Sequence, residues 1–269
     1  MRTRNNFFQE GRQQVSVCFV FPNSAFHFSH FFVITMTFSP ITTTLSKAAF
    51  VLACTFSLSA MSSCSDVLSG KISGNGTITT KTRSLGANIT SVDAGVTGDV
   101  EVICTPTSSA TSSIEITTDD NLHSVITTDV AGNALKIAFK GYVDGPTRLT
   151  IKVNTSMINT LIQSGTGSVS ARGIDNAAMG VNLNGTGTMN VTGKTTKITS
   201  VLSGSGDINA QTLIAKEAQV TVSGTGNLRV FASDILDATL TSSGNILYYG
   251  NPAQIKRNIT GSGSLRVGQ

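Results

Sequence analysis

The stretch that decides the fold is VTVSGTGNL, Val220 to Leu228. Apolar residues alternate up to a glycine pair, Gly224 and Gly226, and resume alternating after it. Close copies lie on both sides. Aligned on their glycines they read IQSGTGSV (162–169), LNGTGTM (183–189), LSGSGDI (202–208), VSGTGNL (222–228), LTSSGNI (240–246) and ITGSGSL (259–265). The first position of each pair falls at Gly165, Gly185, Gly204, Gly224, Ser242 and Gly261, so the step hardly varies from copy to copy. The second falls at Gly167, Gly187, Gly206, Gly226, Gly244 and Gly263. A fixed period near 20 residues is the mark of a solenoid, in which one short unit stacks on the next.

Period-two alternation with β-branched residues makes the units strands rather than helices, as in Val181 and Leu183 before one pair and Met189 and Val191 after it. The Leu-x-x-Leu-x-Leu pattern of a leucine-rich repeat is absent. Short strands of successive units must then lie parallel and in register, about 4.8 Å apart. The fold class is all-β, a parallel β-helix built as a single-stranded solenoid with coils of about 19–20 residues. The glycines are expected to be structural, reaching φ > 0 at a sharp corner, with neighbouring Ser, Thr and Asn bonding from coil to coil. A phosphate cradle would need a following helix and a Gly-Lys-Ser/Thr, and a calcium nonapeptide would need an Asp in every copy, where only Asp207 occurs. One slot breaks the pattern: Gln163 stands where the other copies carry Leu, Val or Ile, and marks the junction with what precedes it.

Between about 70 and 160 strand signals continue with less regular spacing, as in Ile114-Glu-Ile and Leu135 to Phe139. SGNG at 73–76 reads as an early copy of the corner. Gly132-Asn133 and Asp144-Gly145-Pro146 read as turns, and DDNLHSV, Asp119 to Val125, as a single helical turn.

The front of the chain differs. Residues 1–35 hold eight of the 13 Phe and two of the three His without any period, and are expected to lie outside the working protein as a mis-assigned start. Residues 36–63 read as an export signal, with Lys47 and then the apolar run AAFVLACTFSLSAM, too short for the roughly 20 residues of a membrane span. The run ends in Met-Ser-Ser-Cys, which resembles the lipobox of bacterial lipoproteins, with Cys64 the lipidated residue and 64–71 a short tether. A plain cleaved signal is the other reading. Since one acyl chain binds membranes only marginally, a stable anchor needs several.

From Cys64 onward there are 15 Lys+Arg against 14 Asp+Glu, so charge recruits neither nucleic acid nor an anionic membrane. Cys18 and Cys54 leave with the leader, and Cys104 is then a lone thiol expected to act as a small buried apolar residue. The acids available for catalysis are Asp119 with Asp120 and Asp234 with Asp237, beside Arg229. No acid recurs one repeat away from Asp234 or Asp237, the spacing that would stack carboxylates on one face, and both are expected at a solvated turn. No enzyme, cofactor or metal is expected. The segment has no Trp, and of Tyr248 and Tyr249 one faces inward and one outward.

The string of SGSGDI-type corners, DAGVTGDVEV (93–102), DDNLHSVITTDV (119–130) and the closing YYGNP to ITGSGSL (248–265) together resemble the autotransporter adhesin, head GIN domain family of exported Bacteroidetes lipoproteins, over roughly 72–269. The resemblance implies a right-handed β-helix, a role in adhesion and no agreed catalytic residues. With only four residues after Leu265, no C-terminal barrel is expected. Three functions follow as expectations: an outer-membrane lipoprotein binding glycans or envelope proteins, a polysaccharide lyase-like enzyme, or a passive module that homo-oligomerises by stacking end to end.

Overall fold

The computed structural model describes residues 14–16, 35–37, 71–106 and 111–268. The chain divides into two units, 1–64 and 65–269. In the first, β1 (Gln14–Ser16) pairs antiparallel with β2 (Thr35–Thr37). The apolar run of the export signal, Cys64 and the tether up to residue 70 lie outside the described residues.

The second unit opens with β3 (Lys71–Ile72), β4 (Ile78–Ser84), β5 (Ser91–Gly95), β6 (Asp99–Cys104), β7 (Ser113–Asp119), β8 (Ile126–Ala131), β9 (Ala134–Phe139), β10 (Tyr142–Val143) and β11 (Leu149–Thr155). The repeat supplies β12 (Thr160–Gln163), β13 (Ser168–Leu183), β14 (Thr188–Leu202), β15 (Asp207–Ala210), β16 (Leu213–Val222), β17 (Asn227–Phe231), β18 (Ile235–Leu240), β19 (Asn245–Tyr249), β20 (Gln254–Ile259) and β21 (Ser264–Val267). Every pairing among β12 to β21 is parallel. One face stacks β12, the C-terminal halves of β13 and β14, then β16, β18 and β20. The other stacks β6, the N-terminal halves of β13 and β14, then β15, β17, β19 and β21. The glycine pair is the corner from the first face to the second.

The core is a set of straight columns. Leu161, Val181, Ser200, Val220 and Ala238 are consecutive register partners, all buried, and so are Leu183, Leu202, Val222 and Leu240. Each inward slot meets the same slot one rung away, so the alternation in sequence becomes apolar packing, interrupted in the first column by the buried Ser200. Gln163 enters the second column between Ala94 and Leu183, and its Nε2 donates to the carbonyl of Gly167 across its own corner. A small alanine on one side leaves room for it.

The paired glycines are structural, but for a different reason from the one expected. None of them has positive φ. A Cβ at Gly204 would stand 2.9 Å from the carbonyl carbon of Gly185 and closer still to its oxygen, and at Gly224 2.8 Å from the carbon of Gly204. Successive corners stack backbone on backbone, leaving no space for a side chain. Within the repeat, positive φ occurs at the other corner, where Gly173 (φ 77) and Gly193 (φ 136) let β13 and β14 bend through a register shift and run on as strands of 16 and 15 residues. Where Ser242 replaces a glycine its hydroxyl turns back to the carbonyl of Gly224, 2.5 Å away. Beside the corners a ladder runs from Asp207 through Asn227 and Asn245 to Ser264, with Asn245 Nδ2 donating to Asn227 Oδ1 at 3.1 Å and Ser264 Oγ to Asn245 Oδ1 at 2.8 Å.

The first part of the domain departs from simple winding. Strands β5 and β6 form a rung that the repeat continues, with Leu161 on Val92 and Val169 on Val100. Strands β9 and β11 stack parallel on the opposite side of that same rung. The chain therefore winds one layer outward and then crosses back past residues 156–159 to start the repeat. The crossing is pinned by Thr155 Oγ1 donating to the Ile89 carbonyl (2.6 Å), Ser112 Oγ to Thr155 Oγ1 (3.0 Å) and Asn159 N to the Thr90 carbonyl (2.7 Å). Antiparallel strands β7, β4 and β8 cover this end. Gly132 (φ 61) makes the β8–β9 turn, and Asp120–Leu122 is a 3-10 turn. SGNG at 73–76 is not a corner copy, since it wraps the Asp119 side chain at the covered end. At the far end β20 and β21 are edge strands, and Arg257 takes the register position that Ala238 and Val220 fill below it.

Gly204→Ala or Gly224→Ala should lower unfolding stability by about 1–3 kcal/mol or more, the range for overpacking a tight interior. Gly132→Ala, where a Cβ meets open space but φ is positive, should cost less. Urea unfolding of the variants measures both.

Candidate functional site

Each of the acids singled out in the sequence has its own local role. Asp119 is fully buried, with Oδ1 accepting the N–H of Gly76 (2.7 Å) and Oδ2 that of Thr147 (2.8 Å). Burial pushes its carboxyl up, but those donors and the Thr147 side chain more than offset this and hold it below the usual carboxylate value. A Cβ at Gly74 would meet that carboxylate at 2.5 Å, so Asp119 ties two loops to the covered end. Asp120 faces Lys81 at 3.8 Å. Asp234 accepts from Ser233 Oγ at 2.6 Å in a turn. Asp237 is not in a turn but half-buried on β18, between Gln219 and Lys256 in register. Arg229 lies on the other face, on β17. The structure does not bring these residues together.

His123 and Cys104 are the remaining titratable candidates. His123 is buried, with Nε2 3.0 Å from Thr79 Oγ1 and 3.2 Å from its carbonyl oxygen, and its Nδ1 has no hydrogen-bond partner among the described residues. Burial, with the charges of Lys81 and Arg83, pushes the imidazole below its ordinary value, against the hydrogen bond to Thr79 and the charge of Asp120. Arg83 spans the same region, donating to the carbonyls of His123 (2.8 Å) and Ile126 (3.0 Å). Cys104 is buried against the crossing, and burial pushes its thiol up, only partly offset by a backbone hydrogen bond from Ile158. It is a protonated, apolar filler. Among the described residues no group of three or more His, Cys, Asp or Glu could hold a metal ion.

Two surface features remain. A groove of about 520 Å³ opens beside the crossing, lined by Met157, Asn159, Asn176, Met179, Gly180 and Lys197. Gly180, between its register partners Thr160 and Thr199, puts no side chain into it. The second feature lies on the outer face of β17, β19 and β21, where alternation and register make a grid: Asn227, Arg229, Phe231; Asn245, Leu247, Tyr249; Ser264, Arg266, Gly268. Tyr248 packs against the core and Tyr249 faces outward, as alternation requires. The pairing of Phe231 with Tyr249 was missed in sequence because the two belong to different copies of the repeat; the glycine period, applied as an offset, would have found it.

A family described as "putative auto-transporter adhesin, head GIN domain" matches residues 90–252, more than half of the chain. No curated protein matches. Among solved structures, a putative adhesin from Bacteroides fragilis is similar over 73% of this chain and 99% of its own, with a TM-score of 0.55 and 19% identity. A putative lipid binding protein from Parabacteroides distasonis covers 74% of this chain and 100% of its own at 25% identity and a TM-score of 0.48. A putative adhesin from Parabacteroides merdae covers 74% and 100% at 21% and 0.44.

Asp119 and His123 give the covered end a pH signature. The depressed carboxyl contributes stability that is present above the unfolded value of about 3.9 and lost as pH falls through its lower folded value. The depressed imidazole is bound neutral, so stability also declines as pH drops below about 6.5 toward the folded value. Urea midpoints followed on acidification should fall in both windows. His123→Gln should flatten the upper limb, and Asp119→Asn the lower one while weakening the protein at neutral pH.

Proposed function

From the membership of this chain in the head GIN adhesin family, we propose that it is an exported binding scaffold held at the cell envelope, which presents flat sheet faces to glycans or envelope proteins. The observation that supports this most is the division of side chains in the solenoid. The inward columns are given to packing, whereas the outward positions repeat Ser, Thr and Asn at one per rung, as in Ser170, Asn190 and Asn209. Such a surface is stiff, and many hydrogen-bonding side chains are placed before any partner arrives. The dispersed acids give the lyase-like alternative no support.

The tether to the envelope rests on Cys64 and the signal before it. Among the described residues no helix is long and apolar enough to cross a membrane. Acylation of Cys64 would place the domain at the outer membrane through a lipid anchor.

Expressed in a bacterium that processes lipoproteins, the wild-type chain should incorporate labelled palmitate and partition with the membrane fraction. Cys64→Ser should lose the label; an unlabelled wild type would leave only a cleaved signal. A screen of the purified protein against glycans and envelope proteins should return binders, and a blank across both would overturn the scaffold reading.

A further inference from the structure

We propose that the outer face of β17, β19 and β21, built on Arg229, Arg266, Phe231 and Tyr249, binds an anionic polysaccharide. This deepens the scaffold reading and rests on it. Rungs repeat about every 4.8 Å, and alternate residues along a strand stand about 7 Å apart. Arg229 and Arg266 are therefore about 10 Å apart in one column, with Leu247 between them, and the aromatic pair forms the next column. Earlier rungs of this face carry Ser170, Asn190 and Asn209 in the arginine column. The aromatic rings and the unpaired arginines of this face are concentrated on the last rungs, whereas Arg172 on an early rung is held by Glu101.

Charge selects the class of ligand. After Asp237 the chain has no Asp or Glu, while Lys256, Arg257 and Arg266 follow. The side chains of Arg229 and Arg266 make no ion pair or hydrogen bond among the described residues, unlike Arg172, which holds Glu101 at 2.8 Å. Asp207, the nearest acid in the adjoining column, is engaged by the backbone N–H of Asn227 (2.8 Å) and its Nδ2 (3.0 Å). Unpaired guanidinium forks on a flat sheet are suited to carboxylates or sulfates.

The rings select a saccharide over other anions. A Cβ at Gly250 would lie 3.2 Å from Phe231 Cζ, and one at Gly268 2.8 Å from Tyr249 Cδ1 and closer to Cε1 and Cζ. Each ring thus leans over a glycine of the following rung instead of projecting. A ring lying on the sheet offers its face to the flat apolar side of a sugar. An acidic peptide would be read through a free strand edge; the backbone of β17 and β19 is paired on both sides, and a peptide added to the free edge of β21 would lie beyond Arg229 and Phe231. A bilayer would need apolar side chains reaching beyond the charges.

Affinity electrophoresis and calorimetry with polygalacturonate, a sulfated glycan and neutral dextran test this. The protein should bind the acidic polymers, lose affinity as salt rises, and ignore dextran. Arg229→Gln with Arg266→Gln should weaken binding at least tenfold with unchanged thermal unfolding. Gly268→Val, which displaces the Tyr249 ring and keeps both charges, should also weaken it, whereas Tyr142→Ala at the other end should not. Binding that survives the double variant, equal binding to dextran, or a preference for anionic vesicles or acidic peptides would each overturn the assignment. Survival in the double variant would leave the scaffold reading standing with its site elsewhere; a blank with every glycan and envelope protein would remove both.

Discussion

The structure depends on one contact, the stacking of bare backbone at the paired-glycine corner. There a backbone carbonyl of one rung fills the place where the next rung's Cβ would be, from Gly165 through Gly263. That contact holds the rungs at strand spacing while the chain turns from one face to the other. It also fixes register, because an offset by one residue would put Ser or Thr into a space that admits no side chain and turn every apolar column outward. The small variation in period from rung to rung is absorbed elsewhere, at the Gly173 and Gly193 bends and in the loops after β15 and β17. Ser242 shows the limit of tolerance: its rung is the shortest, and its hydroxyl is committed to the carbonyl below.

The same contact explains what the sequence made legible. A period with alternating residues on both sides dictates parallel stacking, so the fold and the inward columns could be read from the copies alone, and the buried state of Cys104 from the alternation of its own strand. The physical role of the glycines could not. Both a left-handed bend and a close approach require a residue without a Cβ, and only coordinates separate Gly204, which is crowded, from Gly193, which is bent. The course of the chain from β7 to β11 was also hidden. Nothing local in β9 or β11 shows that they stack on the outer side of β5 and β6, because that choice is made by long-range contacts at Thr155, Ser112 and Ile89. SGNG misled for the same reason: its glycines answer to Asp119, on a strand far along the chain.

The two ends solve the edge problem differently. At the first, the antiparallel strands β4 and β8 lie over the stack, and Asp119, His123 and Arg83 bind their loops down with backbone hydrogen bonds. At the other, β20 and β21 keep free edges, and their residues are largely exposed. The protection there is chemical: Arg257 puts a charge at the register position where another rung would require an apolar side chain. A charge so placed on an edge strand disfavours further pairing, which sets a cost on end-to-end assembly that the apolar Ile255, Ile259 and Leu265 would otherwise favour.

A solenoid that assigns its glycines to the corner and its apolar residues to the columns has only outward side chains left to vary. Those positions touch solvent and their own column neighbours, so substitutions there leave the core untouched. The constraint that makes the repeat monotonous inside is thus what frees the outside to carry chemistry rung by rung. Most rungs use this freedom for Ser, Thr and Asn. The last ones use it for Arg229, Phe231, Leu247, Tyr249 and Arg266, where residues from three successive rungs converge on one face only because the offset between rungs is fixed. A site of this kind needs no loop to form it and no conformational change to present it; its geometry is inherited from the glycine corner.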